Sequence, residues 1–186
     1  MPAKKVISKE KIIDEALNIV RKEGMEGLNM RTLAKACNCS TQPLYLSFSG
    51  MDELKTEVIK RIFSIYVDFI HIEVASGKYP EYMSTGMGYI RFAKDEPEFF
   101  RQMFMCNRGG NKTLDELAGF NEEIYGYMRG LGTSEGELAE LHTHMWIWVH
   151  GIATMYATCY LELNWETVAK MLIDAFFGIK ERLDKK

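Results

Sequence analysis

The chain has 186 residues, of which 47% are hydrophobic and 26% are charged. These fractions are ordinary for a globular protein, and no uninterrupted apolar run approaches the ~20 residues that a membrane span needs. The amino terminus is basic, but no apolar segment follows it as in a secretory signal, so we expect a cytoplasmic protein.

The net charge of -3 conceals an asymmetry along the chain. Through Arg61 there are 11 Lys and Arg against 8 Asp and Glu, a net charge of +3, and the remainder has 12 against 18, a net charge of -6. A basic end on an acidic body indicates that this end contacts a polyanion. Uneven surface charge without a function is the alternative.

The four cysteines are Cys37, Cys39, Cys106 and Cys159, too few and too scattered for a disulfide framework. The first two form a C-x-C pair, but metal sites usually place at least two residues between paired cysteines and add a second pair. We therefore expect reduced thiols, no metal and no other cofactor.

Apolar residues recur at helical spacing along nearly the whole chain, and strand-like alternation is missing. The sequence therefore predicts an all-α fold of about nine helices. Ser8 is the expected N-cap of the first helix and Gly24 its expected end. Asn29 caps a short second helix, and Asn38 is the expected turn residue after it, because Asn tolerates the left-handed conformation.

Ser40 is the expected N-cap of a third short helix, which ends at Phe48. Asp52 and Glu53 favour the start of a fourth helix through its dipole, and an apolar run carries that helix to about residue 76. The later helices are separated by breaks at 95–97, 107–111, 130–133 and 162–164, so the last two span about 134–161 and 165–183.

Three helices within about 40 residues, the last two joined by a tight turn, indicate a helix-turn-helix unit, whose second helix lies in the DNA major groove. The stretch LNMRTLAKACNCSTQPLYLSFSGMDEL, residues 28–54, resembles the DNA-binding domain of the TetR (tetracycline repressor) family of transcriptional regulators. The resemblance implies a DNA-binding domain over residues 1–50 and an effector-binding and dimerisation domain over residues 51–186. It also implies that the protein is a homodimeric repressor and not an enzyme. A small and largely apolar effector would release this dimer from a palindromic DNA operator.

The first turn of the third helix is the part that faces base edges in a helix-turn-helix complex. Gln42 can pair with adenine through its amide, while Thr41 and Pro43 offer methyl or ring contacts to thymine. The resemblance implies that Tyr45 contacts phosphate or thymine, and a packed core tyrosine is the alternative. Helical spacing places Leu44 and Phe48 on the buried face with Leu33 and Leu54. For the charged candidates a solvated surface position is the alternative. The predicted DNA-binding residues are Arg31, Thr41, Gln42, Pro43, Tyr45, Leu46, Ser47, Lys4, Lys5 and Lys55.

Two positions depart from the family's pattern. Asn38 stands where many members have glycine, which preserves the needs of the turn. Met51 stands where many members have a lysine that contacts phosphate, so the start of the fourth helix is left to meet the phosphate. Lys4 and Lys5, as a flexible basic arm, and Lys55 are candidates to compensate.

Aromatic and methionine side chains are dense between Tyr66 and Phe104, and such side chains line adaptable apolar pockets. Plain hydrophobic core is the alternative interpretation, and the resemblance implies a small-molecule effector site here. The predicted pocket residues are Tyr66, Phe69, Tyr89, Phe92, Phe104, Met103, Trp146 and Tyr156.

The resemblance also implies that the last two helices pair with the same helices of a second subunit as a four-helix bundle. Burial within one subunit is the alternative. The predicted interface residues are Gly151, Ala157, Met171, Leu172, Ala175, Phe176 and Ile179. His142, His144 and His150 on the first of these helices are expected to be surface, interface or ligand hydrogen-bonding groups.

Two other functions remain open at this stage. The helix-turn-helix fold can serve as a protein-interaction module without regulated DNA binding, for which the missing charge at Met51 is the one indication. A small helical thiol enzyme would use Cys106 or Cys159 with one of the three histidines, but no nucleophile motif supports it.

Overall fold

The structure, a computed structural model, describes residues 7–106, 122–131 and 134–185. Within these ranges it is all-helical, as predicted, with nine α-helices and one short 3-10 helix, Arg129–Leu131. The α-helices are α1 Lys9–Gly27, α2 Met30–Ala36, α3 Gln42–Ser47, α4 Met51–Ala75, α5 Glu81–Asp95, α6 Pro97–Phe104, α7 Glu122–Met128, α8 Glu135–Ala157 and α9 Trp165–Leu183.

Short polar side chains start several of these helices. The Ser8 hydroxyl accepts a hydrogen bond from the N–H of Lys11 at 3.2 Å, which confirms the predicted cap of α1. Asn29 and Thr32 cap α2 reciprocally, since the Asn29 side chain accepts from the Thr32 N–H and the Thr32 hydroxyl oxygen accepts from the Asn29 N–H. The break predicted at 107–111 and the end of the break at 130–133 lie outside the described residues.

The predicted cap of α3 at Ser40 is wrong. The helix begins one residue later, with Thr41 as its N-cap and no side-chain hydrogen bond at that end. A cap at Ser40 would place Pro43 at the third helical position, where the cap normally receives a backbone N–H, and proline has none.

Gly24 marks a kink in α1, where the helix was predicted to end. Its φ of 72° and ψ of 179° are non-helical, yet the helical stretch continues to Gly27. Asn38 has φ of 52°, the left-handed conformation predicted for the turn after α2.

The chain divides into two compact units. The first takes the chain up to Ile65 together with Glu98–Cys106, and the second takes Tyr66–Pro97 and the described residues from 122 onward. Helix α4 therefore contributes to both units, and the predicted domain boundary at residue 50 stays a prediction. The core of the first unit includes Ile12, Val20, Leu33, Leu44, Phe48, Leu54 and Ile62.

In the second unit α5 packs along α8, which in turn packs along α9. Gly88 lets α5 approach α4 closely, because a Cβ at this position would lie 2.8 Å from the Phe69 carbonyl oxygen. No helix of the described residues is long and apolar enough to cross a membrane.

Candidate DNA-binding surface and ligand cavity

The turn between α2 and α3 is built by backbone hydrogen bonds from the end of α2. The N–H of Cys37 donates to the Leu33 carbonyl at 2.8 Å, and the N–H of Cys39 donates to the Ala34 carbonyl at 3.0 Å. Asn38 between them reverses the chain in its left-handed conformation. Burial raises the pKa of the Cys37 thiol to about 11, so this thiol is a packed, unreactive group.

Helix α3 has one buried face and one exposed face. Leu44 and Phe48 are buried, which confirms their predicted place in the core. On the other face Gln42 is exposed, Tyr45 is 58% exposed and Leu46 is 83% exposed. Because Tyr45 and Leu46 are mostly exposed, they add little apolar burial to the folded subunit, and both side chains are available to a partner outside it.

The other predicted contacts on α3 lie at the edge of this exposed face. Thr41, Pro43 and Ser47 are half-buried. The Ser47 hydroxyl donates to the Pro43 carbonyl at 3.1 Å, so its proton is used within the helix and its oxygen can still accept a hydrogen bond.

Basic residues predicted to contact DNA lie before and after α3 in the described part of the sequence. Arg31 is exposed at the start of α2, and its backbone N–H donates to the Asn29 side chain. Lys55 is half-buried in the second turn of α4, and Met51 is half-buried at its start. The predicted contacts Lys4 and Lys5 lie outside the described residues.

Glu53 connects the start of α4 to the turn that precedes it and to α1. One of its carboxylate oxygens accepts from the Ser49 N–H at 2.7 Å and the Ser49 hydroxyl at 2.8 Å, and the other lies 3.3 Å from the Lys9 ammonium. The hydrogen bonds from Ser49 lower the pKa of Glu53. Lys9 also lies over the Phe48 ring, 4.7 Å from its centre. Sequence reasoning gave Glu53 a role only in the helix dipole and missed this network.

The second unit contains a cavity of about 230 Å³ bounded by α4, α5, α7, α8 and α9. Its wall is mainly aromatic and aliphatic. The lining residues are Tyr66, Pro80, Tyr82, Met83, Thr85, Gly86, Tyr89, Ile124, Leu131, His142, Met145, Trp146, Val149, Leu172, Ile173, Phe176 and Phe177.

Three of the eight predicted pocket residues, Tyr66, Tyr89 and Trp146, line this cavity. Phe69 and Phe92 do not, because they face each other between α4 and α5 with ring centres 5.6 Å apart, and Phe92 is completely buried there.

The remaining predicted pocket residues are elsewhere. Met103 and Phe104 lie in the part of α6 that belongs to the first unit. Tyr156 is near the end of α8, where its hydroxyl donates to the Leu163 carbonyl and its ring stacks on Trp165 at 5.8 Å. Both contacts hold the start of α9 against the end of α8.

Two tyrosine–histidine pairs join α5 to α8 on the cavity wall or at its edge. The Tyr82 hydroxyl is 3.1 Å from Nδ1 of His142, and the Tyr89 hydroxyl is 2.8 Å from Nδ1 of His150. Burial raises the pKa of both tyrosines and lowers the pKa of His150. All three groups are therefore neutral near pH 7. Of the three histidines considered from the sequence, only His144 is exposed.

The predicted interface residues fall into two groups. Ala157 and Leu172 are buried inside the subunit, because Ala157 has no exposed surface and Leu172 lies on the cavity wall. The others are half-buried, and one of them, Phe176, also lines the cavity. The half-buried residues are Gly151, Met171, Ala175, Phe176 and Ile179.

Larger apolar side chains are exposed on the same two helices, and the prediction missed them. We call them the α8–α9 apolar strip: Ile147, Trp148, Met155, Ile173 and Phe177. Trp148, at 49% exposed, and Phe177, at 63%, are the largest. Because α8 is apolar on nearly every side, spacing alone does not separate its outer face from its core face.

A helix-turn-helix unit with an exposed second helix, followed by a helical unit, defines a transcriptional regulator of the helix-turn-helix class. Two family profiles match the chain, one described as bacterial regulatory proteins of the tetR family over residues 12–58 and one as the tetracyclin repressor-like C-terminal domain over residues 83–176. The chain therefore belongs to the TetR family, which confirms the resemblance seen in the sequence.

Individual relatives agree with this assignment. The biofilm operon icaADBC negative transcriptional regulator IcaR of Staphylococcus epidermidis is 26% identical over 62 residues, an alignment that covers 33% of this chain and 34% of IcaR. The chain thus matches about a third of that relative's length. A proposed TetR-family regulator from Vibrio parahaemolyticus superposes with a TM-score of 0.62 at 14% identity, covering 91% of this chain and 96% of that one, and shows the same fold.

The described residues contain no group of three His, Cys, Asp or Glu side chains placed to hold a metal ion. Both relatives named above are described as transcriptional regulators.

Proposed function

We propose that this transcriptional regulator is a homodimeric repressor that binds a palindromic DNA operator through α3 and releases it when a small apolar molecule enters the cavity. The observation that carries the proposal is the outward face of α3. Gln42, Tyr45 and Leu46 are exposed there, while Leu44 and Phe48 hold the helix to its unit.

The chemistry of this face suits the major groove. The amide of Gln42 can make two hydrogen bonds to adenine, and Thr41 and Pro43 can contact a thymine methyl group. Tyr45 carries a hydroxyl that can donate to a phosphate oxygen. Leu46, Ser47 and the more distant Arg31, Lys4, Lys5 and Lys55 complete the proposed DNA contacts.

Dimerisation is supported by the α8–α9 apolar strip. A strip of large apolar side chains on two adjacent helices marks a protein–protein contact more often than a free surface. Two-fold pairing of these helices would present two copies of α3 to two half-sites ~34 Å apart.

Ligand response is supported by the side chains that the cavity and the strip share. Ile173 and Phe177 line the cavity and are also exposed on α9. A molecule in the cavity would contact the same side chains that we assign to the dimer interface. It can therefore shift the balance between dimer arrangements if it binds one of them better than the other.

Repression is proposed because the relative IcaR is described as a negative regulator. A regulator of this kind acts where the bacterial chromosome lies, so we place it in the cytoplasm.

The proposal is tested by electrophoretic mobility shift with DNA from the promoter region of its own gene at low salt. Gln42→Ala and Tyr45→Ala should each weaken specific binding by about 1–3 kcal/mol, which is at least about fivefold. Lys22→Ala is the control, because Lys22 is an exposed residue of α1 and is not one of the proposed DNA contacts. Unchanged affinity in both α3 variants would favour a protein-interaction module instead.

A further inference from the structure

We infer that the cavity of the second unit takes a neutral aromatic molecule of about two fused rings that carries one hydroxyl group. The inference rests on the proposed ligand response and names the chemical class of the ligand. Four properties of the cavity point to this class: its volume, the lack of Asp, Glu, Lys and Arg among its described lining residues, its aromatic wall and a phenol–imidazole pair.

The volume limits the ligand to a small ring system. An apolar protein cavity of ~150 Å³ holds one benzene ring, and pockets for drug-sized molecules begin near ~300 Å³. A cavity of about 230 Å³ lies between these limits. It accommodates about two fused rings.

The wall selects against a charged ligand. Among the described residues that line the cavity, none is Asp, Glu, Lys or Arg. His142 is buried on the wall, and the other ionisable side chains there are tyrosines, whose pKa burial raises. The described lining offers a cation no carboxylate and an anion no Lys or Arg, so a charged ligand would lose its hydration without gaining an ion pair with such a side chain, which is costly in an apolar site.

The wall also favours an aromatic ligand. Tyr66 and Tyr89 meet edge to face, with ring centres 5.8 Å apart. Tyr82 and Phe176 are tilted at 6.3 Å, and the indole of Trp146 completes the aromatic side of the cavity. A flat ring system can stack on such rings or meet their edges, which adds to the gain from apolar burial.

The Tyr82–His142 pair can form a hydrogen bond with one polar group of the ligand. Both side chains line the cavity, and the Tyr82 hydroxyl is 3.1 Å from Nδ1 of His142. A phenol can make up to three hydrogen bonds, one as donor and two as acceptor, and the bond to the imidazole uses one of them. A ligand hydroxyl matches the pair whichever way that bond runs, because it can donate to the Tyr82 oxygen and can also accept the Tyr82 proton when the imidazole is the donor.

Three probes that share the naphthalene ring system test the class: naphthalene, 2-naphthol and 2-naphthoate, measured by equilibrium dialysis against the full chain. We expect 2-naphthol to bind about three- to tenfold more tightly than naphthalene, as one net hydrogen bond allows. We expect 2-naphthoate to bind at least about tenfold more weakly than 2-naphthol. Binding of 2-naphthoate as tight as that of 2-naphthol, or binding of none of the probes, overturns the inference.

Tyr82→Phe tests the assigned partner, because it removes the hydroxyl and keeps the ring. The variant should bind naphthalene as the wild type does and lose the preference for 2-naphthol. Tyr160→Phe is the control, since Tyr160 is exposed and does not line the cavity. A Tyr82→Phe protein that retains the full preference overturns the assignment, and the ranking of probes on the wild type requires no variant to fold.

DNA binding is measured in parallel by mobility shift, with and without 2-naphthol. Binding of the probe in the predicted order without release of DNA supports the inference and contradicts the proposed ligand response. Release of DNA by 2-naphthoate in preference to 2-naphthol supports a ligand response and overturns the neutral class.

Discussion

The hydroxyl of Tyr89 on α5 lies 2.8 Å from Nδ1 of His150 on α8, a hydrogen bond inside the helical unit that contains the cavity. Trp146, one turn earlier on α8, stacks on the His150 ring with centres 5.0 Å apart. The imidazole is therefore held between a phenol and an indole. Burial in these surroundings lowers its pKa, because the charged form is poorly solvated.

This lowered pKa predicts that acid weakens the fold. In the unfolded chain His150 takes up a proton near its ordinary pKa of 6.5, but in the folded chain it does so only at lower pH. The free energy of unfolding should therefore be highest above pH 6.5 and fall as the pH drops through 6.5 toward the lower folded value. Urea denaturation between pH 7.5 and 5.5 should show a shallower decline for His150→Asn than for the wild type. His144→Asn, an exposed histidine on the same helix, should leave the decline unchanged.

Gly24 is required by the backbone of α1. Its φ of 72° with ψ of 179° is a conformation that side chains with a Cβ rarely adopt, and a Cβ there would also lie 3.0 Å from Glu98 Oε1. Gly24→Ala should lower the free energy of unfolding by about 1–3 kcal/mol in urea denaturation. Gly50→Ala is the control, because it lacks a positive φ and no described atom lies within 4 Å of its Cβ position. Equal stability of the two variants would show that the kink relaxes at no cost.

Helix starts could be predicted where they depend on residues a few positions apart. Asn29 with Thr32 and Ser8 with Lys11 follow local rules that need no knowledge of the fold. The predicted start of α3 is wrong by one residue. The sequence contains the reason, because a cap at Ser40 requires an N–H at Pro43, and proline has none.

The residues that line the cavity could not be predicted in the same way. Tyr89 and Phe92 are both buried on α5, three positions apart, yet only Tyr89 lines the cavity. Phe92 is directed to Phe69 on α4 instead. That difference is decided by which helix packs on each side of α5, and one sequence does not contain this information.

Gly88 is predicted to be irreplaceable for a different reason from Gly24. A Cβ at Gly88 would lie 2.8 Å from the Phe69 carbonyl oxygen and 2.9 Å from the Cα of Ile70, both backbone atoms that cannot rotate away. Gly88→Ala should therefore force α4 and α5 apart and lower the free energy of unfolding by about 1–3 kcal/mol, measured by urea denaturation. Gly136→Ala in α8 is the control, since the described atoms leave its Cβ position open, and it should be neutral or slightly stabilising.

Trp148 is predicted to hold the dimer together through the α8–α9 apolar strip. It is 49% exposed and does not line the cavity, so a change there leaves the ligand site intact. Trp148→Glu should place a charge in the proposed interface and convert the dimer to a monomer, measured by sedimentation velocity at micromolar concentration. Because one subunit then reaches only one half-site, affinity for a palindromic operator should fall at least about tenfold.

Ile72→Glu provides the matched control for this variant. Ile72 is a similarly exposed apolar residue, at 64%, but it lies on α4 and not on the strip. The control should stay dimeric and keep its affinity for DNA. A Trp148→Glu protein that sediments as a dimer would place the subunit contact elsewhere, and dissociation of both variants would mean that added negative charge, and not the lost indole, separates the subunits.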